Sequence, residues 1–172
     1  MRILPKLGGR LPGSVLAMLR IEPGEKVLAW GATATADGTQ STVTAATDRA
    51  LYLQATGERL AWDRIAKATW VQPTLELTVV DDPARPPRTV TVALDDPRGL
   101  PAAVHDRVTA SVVVSEHVDL GEGAGALMVA RRGSDDVIRW SVVFDSGLDP
   151  SDPALRRAAD DALGRLRDSL GI

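Results

Sequence analysis

Between Lys26 and Leu94 polar and apolar residues alternate in short stretches, and Gly, Pro and Asp break the alternation at close intervals. Leu28, Trp30, Ala32 and Ala34 fall on one side of the chain, the two-residue period of a half-buried strand. Asp37-Gly38 is a turn dipeptide, and Val43 and Ala45 read as the returning strand. Ala50–Gln54 sets Leu51 and Leu53 opposite Tyr52, Thr56-Gly57 turns the chain, and Arg59–Trp62 places Leu60 and Trp62 on one face. Ala66–Val71 carries Trp70. Leu75, Leu77 and Val79 alternate with Glu76 and Thr78, a proline-rich loop spans Asp81–Arg88, and Val90, Val92 and Leu94 form the last of seven strands. Short half-apolar strands with no helix between them predict an antiparallel sandwich or barrel and disfavour a parallel doubly wound sheet.

The period then lengthens. Leu100, Val104, Val108 and Val112 recur every four residues, with Pro101 suited to a first helical turn, which predicts a helix over about 98–111. Strands near 113–119, 126–132 and 137–145, joined by a Gly-rich tip at Gly121–Gly125 and a turn at Gly133–Asp136, predict a three-stranded meander. A final amphipathic helix follows. Asp152 caps it, Pro153 occupies its first turn, Leu155, Ala159, Ala162, Leu163, Leu166 and Leu170 share a face, and Gly171 ends it. Ahead of all this, residues 13–20 predict two helical turns with Ser14 as N-cap and Leu16 and Leu19 inward. The fold class is therefore mostly β (α+β): residues 1–113 form a helix-capped seven-stranded unit, and 114–172 form a strand-strand-strand-helix appendage.

At 172 residues with 44% apolar side chains, the chain can bury a sizeable core without disulfides or a structural metal. It has no Cys, which excludes disulfides, thiol catalysis, thiolate zinc sites and iron–sulfur clusters. A net charge of -3 gives no global attraction to nucleic acid or anionic lipid. Pro5, Gly8, Gly9, Pro12 and Gly13 interrupt any signal-peptide core around Arg2, Lys6 and Arg10. No run approaches the roughly 18 apolar residues of a membrane span. The default compartment is the cytoplasm.

Seven antiparallel strands followed by one helix is the element order of pleckstrin-homology-like domains. The segments Ile21-Glu-Pro-Gly-Glu-Lys-Val-Leu28, Thr47-Asp-Arg-Ala-Leu-Tyr-Leu53 and Leu60-Ala-Trp-Asp-Arg-Ile65 resemble those of bacterial pleckstrin-homology-like and GRAM-type domains over about residues 20–113. The remainder looks like an element appended in an actinobacterial family, in keeping with 17 Arg against 3 Lys. The resemblance implies a non-catalytic module that binds proteins, peptides or lipids and often self-associates. Family members that bind phosphoinositides carry Lys and Arg on the first hairpin. Here that tip reads Thr35-Ala-Asp-Gly-Thr-Gln-Ser41 without a cation, which argues against phosphoinositide and leaves protein binding.

Candidate chemistry is sparse. His117 lies two residues from both Ser115 and Asp119 on one strand face, a spacing that could orient an imidazole, although strand polar residues need no such role; His105 lies in the predicted helix. Gly121, Gly123 and Gly125 resemble a phosphate loop superficially, but a strand follows them instead of a helix. Asp145, Asp149 and Asp152, with Asp135 and Asp136, could offer oxygen ligands to a cation, yet their spacing is not that of a calcium loop and turns favour Asp in any case. Arg131, Arg132 and Arg139 form the best basic cluster, with Trp140 and Phe144 near. Strand parity turns those aromatics toward the last helix and leaves the arginines in water. Trp30, Trp62 and Trp70 fit core positions, and two of them exposed at one edge would mark a partner surface.

These readings converge on a non-catalytic protein-binding or scaffolding module with no cofactor, engaging a protein partner or a second copy through a sheet edge or the appendage. The alternative is a small metal-dependent enzyme or ligand binder using Asp145, Asp149 and His117. Nucleic-acid binding through Arg131, Arg132 and Arg139 is a third, disfavoured reading.

Overall fold

The structure, a computed structural model, describes residues 11–34, 41–82 and 85–171. The expected Asp37-Gly38 turn and the basic residues of the N-terminus lie outside them. Seven strands form one sheet: β1 (Val27–Ala34), β2 (Ser41–Thr47), β3 (Ala50–Leu53), β4 (Glu58–Ala61), β5 (Ile65–Val71), β6 (Thr74–Val79) and β7 (Arg88–Asp96). Their order is β4-β3-β2-β1-β7-β6-β5, and each neighbouring pair is antiparallel. A 3-10 turn at Trp62–Arg64 joins the two outermost strands, so Trp62 leaves the strand assigned to it from sequence. It remains buried, and its indole Nε1–H donates to the Thr47 carbonyl at 3.0 Å.

One core gathers residues from both ends of this sheet: Leu51, Leu60, Ile65, Leu77, Val79 and Leu94 all belong to it. The sheet is therefore curled, its two ends meeting over a common interior. The helix α2 (Leu100–Ala110) closes that interior with Leu100, Val104 and Val108, the four-residue stripe read from the sequence. Gly31 of β1 lies where α2 begins. A Cβ there would stand 3.0 Å from the Asp96 carbonyl oxygen, 3.3 Å from that of Pro97 and 3.4 Å from the Leu100 side chain. Backbone cannot yield as a side-chain tip can, so Gly31→Ala should cost about 2 kcal/mol, read as a lowered urea midpoint.

The outer face of β2 and β3 is covered as well. Helix α1 (Gly13–Leu19) and its flanks bring Leu11, Leu19, Leu16 and Ile21 against Val43, Ala45, Ala50 and Tyr52. Tyr52 does point opposite Leu51 and Leu53, but into this second apolar layer. The N-cap of α1 is Pro12, not Ser14: the Pro12 carbonyl accepts from the Val15 and Leu16 amides.

The appendage is a meander of β8 (Val112–Gly121), β9 (Ala124–Arg132) and β10 (Ile138–Phe144), ordered β10-β9-β8. Since β8 starts at Val112, the boundary expected at 113/114 falls within a strand, and only Ser111 separates the sheet from α2. Helix α3 (Pro153–Leu170) lays Ala162, Leu163 and Leu166 on Met128, Val118, Leu120, Trp140 and Val142. Its cap is as read: Asp152 accepts from the Ala154 and Leu155 amides, and Gly171 ends the helix in the left-handed conformation at φ 69. Among the described residues no helix is long and apolar enough to cross a membrane.

Candidate functional site

Strand β9 alternates between two faces. Met128 meets α3, whereas Val129 and Arg131 turn the other way, toward the seven-stranded unit. Arg131 is only 5% exposed, which corrects the expectation that it sits in water. Its Nη1 donates to the Val108 carbonyl at 2.7 Å and to Ser111 Oγ at 2.8 Å, and its Nη2 donates to the Ala66 carbonyl at 2.8 Å. One guanidinium thus ties the end of α2, the start of β5 and the second sheet together. Burial pushes its pKa down, opposed by the field of Asp63, and its Nε is buried without a hydrogen-bond partner.

The other two arginines of the sequence cluster part from it. Arg132 is exposed and stands 3.8 Å from Asp136. Arg139 reaches across the junction: Nη1 donates to Asp63 Oδ2 at 2.9 Å, and Nη2 donates to Asp135 Oδ2 at 2.6 Å. The cluster is therefore one buried tie, one surface cation and one neutralised clamp, not a basic strip, and Trp140 packs toward α3 as expected.

The Arg139 hydrogen bonds hold the Asp135 carboxyl well below its ordinary value of 3.8, and Arg88 lowers that of Asp81 in the same way. Carboxyls that are more acidic in the folded chain add stability above the unfolded pKa and lose it as pH falls through the folded value. The melting temperature should accordingly hold from neutrality to about pH 4 and drop below it. Asp135→Asn should flatten that acid limb in thermal melts taken at successive pH values.

At the far end of the meander His117 Nε2 lies 2.9 and 3.0 Å from the two oxygens of Asp145. The pair crosses β9 above Gly125, where a Cβ would come within 2.5 Å of Asp145 Oδ2 and 2.6 Å of His117 Cε1. Gly125 thus serves side-chain packing rather than a phosphate loop. Asp119, the partner expected from spacing, accepts instead from the Gly121 amide, and Asp149 accepts from the Ser151 amide and hydroxyl. The alternative triad is joined in two members only. Among the described residues no three His, Asp or Glu side chains gather around a common point.

Two concavities flank β5, which lies at one end of the first sheet among the described residues. On the side of the meander, a cleft of about 310 Å³ is lined by Asp63, Arg64, Arg131, Arg139 and Trp140, with Ala66, Val80, Asp81 and Ser141. On the side of α2, a groove of about 480 Å³ runs between Ala68 and Trp70 of β5 and Pro101, Ala102 and His105 of the helix, with Pro97 and Arg98 at its end. Arg98 also stacks on the Trp30 ring at 3.7 Å. Trp30 and Trp70, both half-buried, therefore flank one arginine. Sequence parity placed each indole in a strand, but only the docking of α2 brings them to one rim.

The fold and these sites define a mostly-β protein of two sheets, with a charged cleft at their junction and an apolar groove beside an edge strand. No family model, no curated protein and no solved structure matches the chain.

Proposed function

We propose that the protein is a non-catalytic binding module of the pleckstrin-homology-like kind, and that it takes an extended segment of a protein partner along β5. The carrying observation is the coincidence of an open strand edge with an apolar groove. Beyond Ala66, whose carbonyl Arg131 occupies, the open side of β5 offers the backbone N–H and C=O of alternate residues to an added strand. Side chains of that strand would enter the groove between Trp70 and Pro101. Backbone pairing would supply affinity and the groove would supply selectivity.

Selection from a library of extended peptides tests this reading. Binders should share apolar residues at alternate positions, slow amide exchange at every second residue of 67–71, and lose at least about tenfold in affinity with Trp70→Ala. A library yielding no binder, or binders indifferent to Trp70→Ala that protect another strand, would overturn it.

A further inference from the structure

Strand β5 ends the first sheet among the described residues, and the ladder beside it shows which of its backbone groups are unspent. The Leu94 amide donates to the Pro73 carbonyl at 2.8 Å, so the odd-numbered residues of β6 bond to β7 and the even-numbered ones bond to β5. Thr74, Glu76 and Thr78 lie opposite Val71, Thr69 and Lys67, which are thereby used. Ala68 and Trp70 turn their N–H and C=O groups the other way, off the edge. The next carbonyl on that side, that of Ala66, already accepts from Arg131, and beyond Val71 the chain turns at Gln72-Pro73. The open ladder is therefore confined to Ala68 and Trp70.

So short a ladder is little for a flexible peptide, which must be ordered before it pairs. A second copy of β5 is already extended, and it matches. In a two-fold antiparallel pairing centred on Thr69, Ala68 of each copy faces Trp70 of the other, and every open N–H and C=O finds its partner. Centring the axis on Ala68 instead sets Trp70 against Ala66, whose carbonyl Arg131 holds, and centring it on Trp70 sets Ala68 against Gln72 at the turn. The side chains agree with the Thr69 axis. Toward α2, each indole meets the other copy's alanine, large against small, in the groove of about 480 Å³. On the opposite face Thr69 meets Thr69, and the Lys67 stem lies on Val71, which is 68% exposed in the single chain.

The charges of the groove are self-complementary as well. Helix α2 starts near the turn end of β5, where Leu94 reaches Pro73, and ends near Ala66, where Arg131 joins the two. Arg98 thus lies toward one end of the groove and Asp106 toward the other. A two-fold sets the Arg98 end of one copy beside the Asp106 end of its mate.

We propose that two copies of the chain pair through β5 into one continuous sheet, with the two-fold axis at Thr69. This rests on the reading of β5 as a pairing edge and names a second copy as its occupant.

The chain has no Cys, so an introduced one reports directly. Thr69→Cys should give a disulfide-linked dimer on air oxidation, because residues opposed between hydrogen-bonded pairs have Cα atoms about 4.5 Å apart. Lys67→Cys, more exposed on the same face but facing Val71 of the other copy, should link at least about tenfold less. Ala68→Pro deletes an N–H that faces off the edge, a place where strands tolerate proline. In sedimentation equilibrium the parent should dimerise with a Kd of about 100 μM, as suits a small interface, and Ala68→Pro should raise it at least about tenfold with the melting temperature kept. A parent monomeric up to about 1 mM, equal linking through the two cysteines, or an Ala68→Pro chain that dimerises undiminished overturns the proposal. A monomer whose Ala68 and Trp70 amides are still protected by selected peptides excludes the second copy alone, whereas a chain that pairs with neither also overturns the edge reading beneath it.

Discussion

Val104→Asp should leave the chain unfolded at room temperature. Val104 is fully buried in the middle of the α2 stripe, in the same core as Ile65, Leu77 and Leu94. A carboxylate there would sit among apolar core side chains and must either shed its charge or draw water into the core. The cost, about 5 kcal/mol or more, is comparable to the entire stability of a typical domain. Val104→Ala removes apolar surface without adding charge and should cost only about 2 kcal/mol. Circular dichroism in urea distinguishes them. A Val104→Asp chain that melts within a few degrees of the parent would mean that α2 is not the closure of the curled sheet.

The second large effect belongs to Arg131→Met, with Arg132→Met as its control. Methionine fills much of the same volume but leaves the Val108 carbonyl, Ser111 Oγ and the Ala66 carbonyl without their donor. Each buried acceptor so abandoned costs about 1–3 kcal/mol, while relief from burying a cation returns part of the sum. The expected net loss is about 3 kcal/mol. Amides of β9 should also begin to exchange before those of β2 and β3. At the neighbouring position, where the side chain is exposed and its ion pair long, the loss should stay within about 0.5 kcal/mol. Equal effects at the two positions would remove Arg131 from its role as the tie between sheets.

That contrast shows where reading the sequence stops. Two-residue periods announced β6 and β7, four-residue spacing announced α2, and Asp152, Pro153 and Gly171 marked both ends of α3, because these features are local and each residue answers mainly to its own element. Whether a strand face is wet depends on what docks against it. Arg131 and Leu127 lie on the same side of β9, yet Arg131 is covered by the first sheet and Leu127 is left exposed at the other end of the strand. Tyr52 had the parity of a solvent-facing residue and is buried because α1 lies over it. Asp145 is remote from His117 in the chain, whereas Asp119, the neighbour suggested by spacing, serves its own turn. The junction cleft and the α2 groove are products of docking between elements, and no window of sequence contains either.

Asp63 belongs to the corner where the first sheet bends between β4 and β5, and it is also the residue that Arg139 grips from the other sheet. One side chain therefore answers to both sheets: replacing Asp63 would remove a charge from the bend of the first and leave the Arg139 guanidinium of the second held by Asp135 alone.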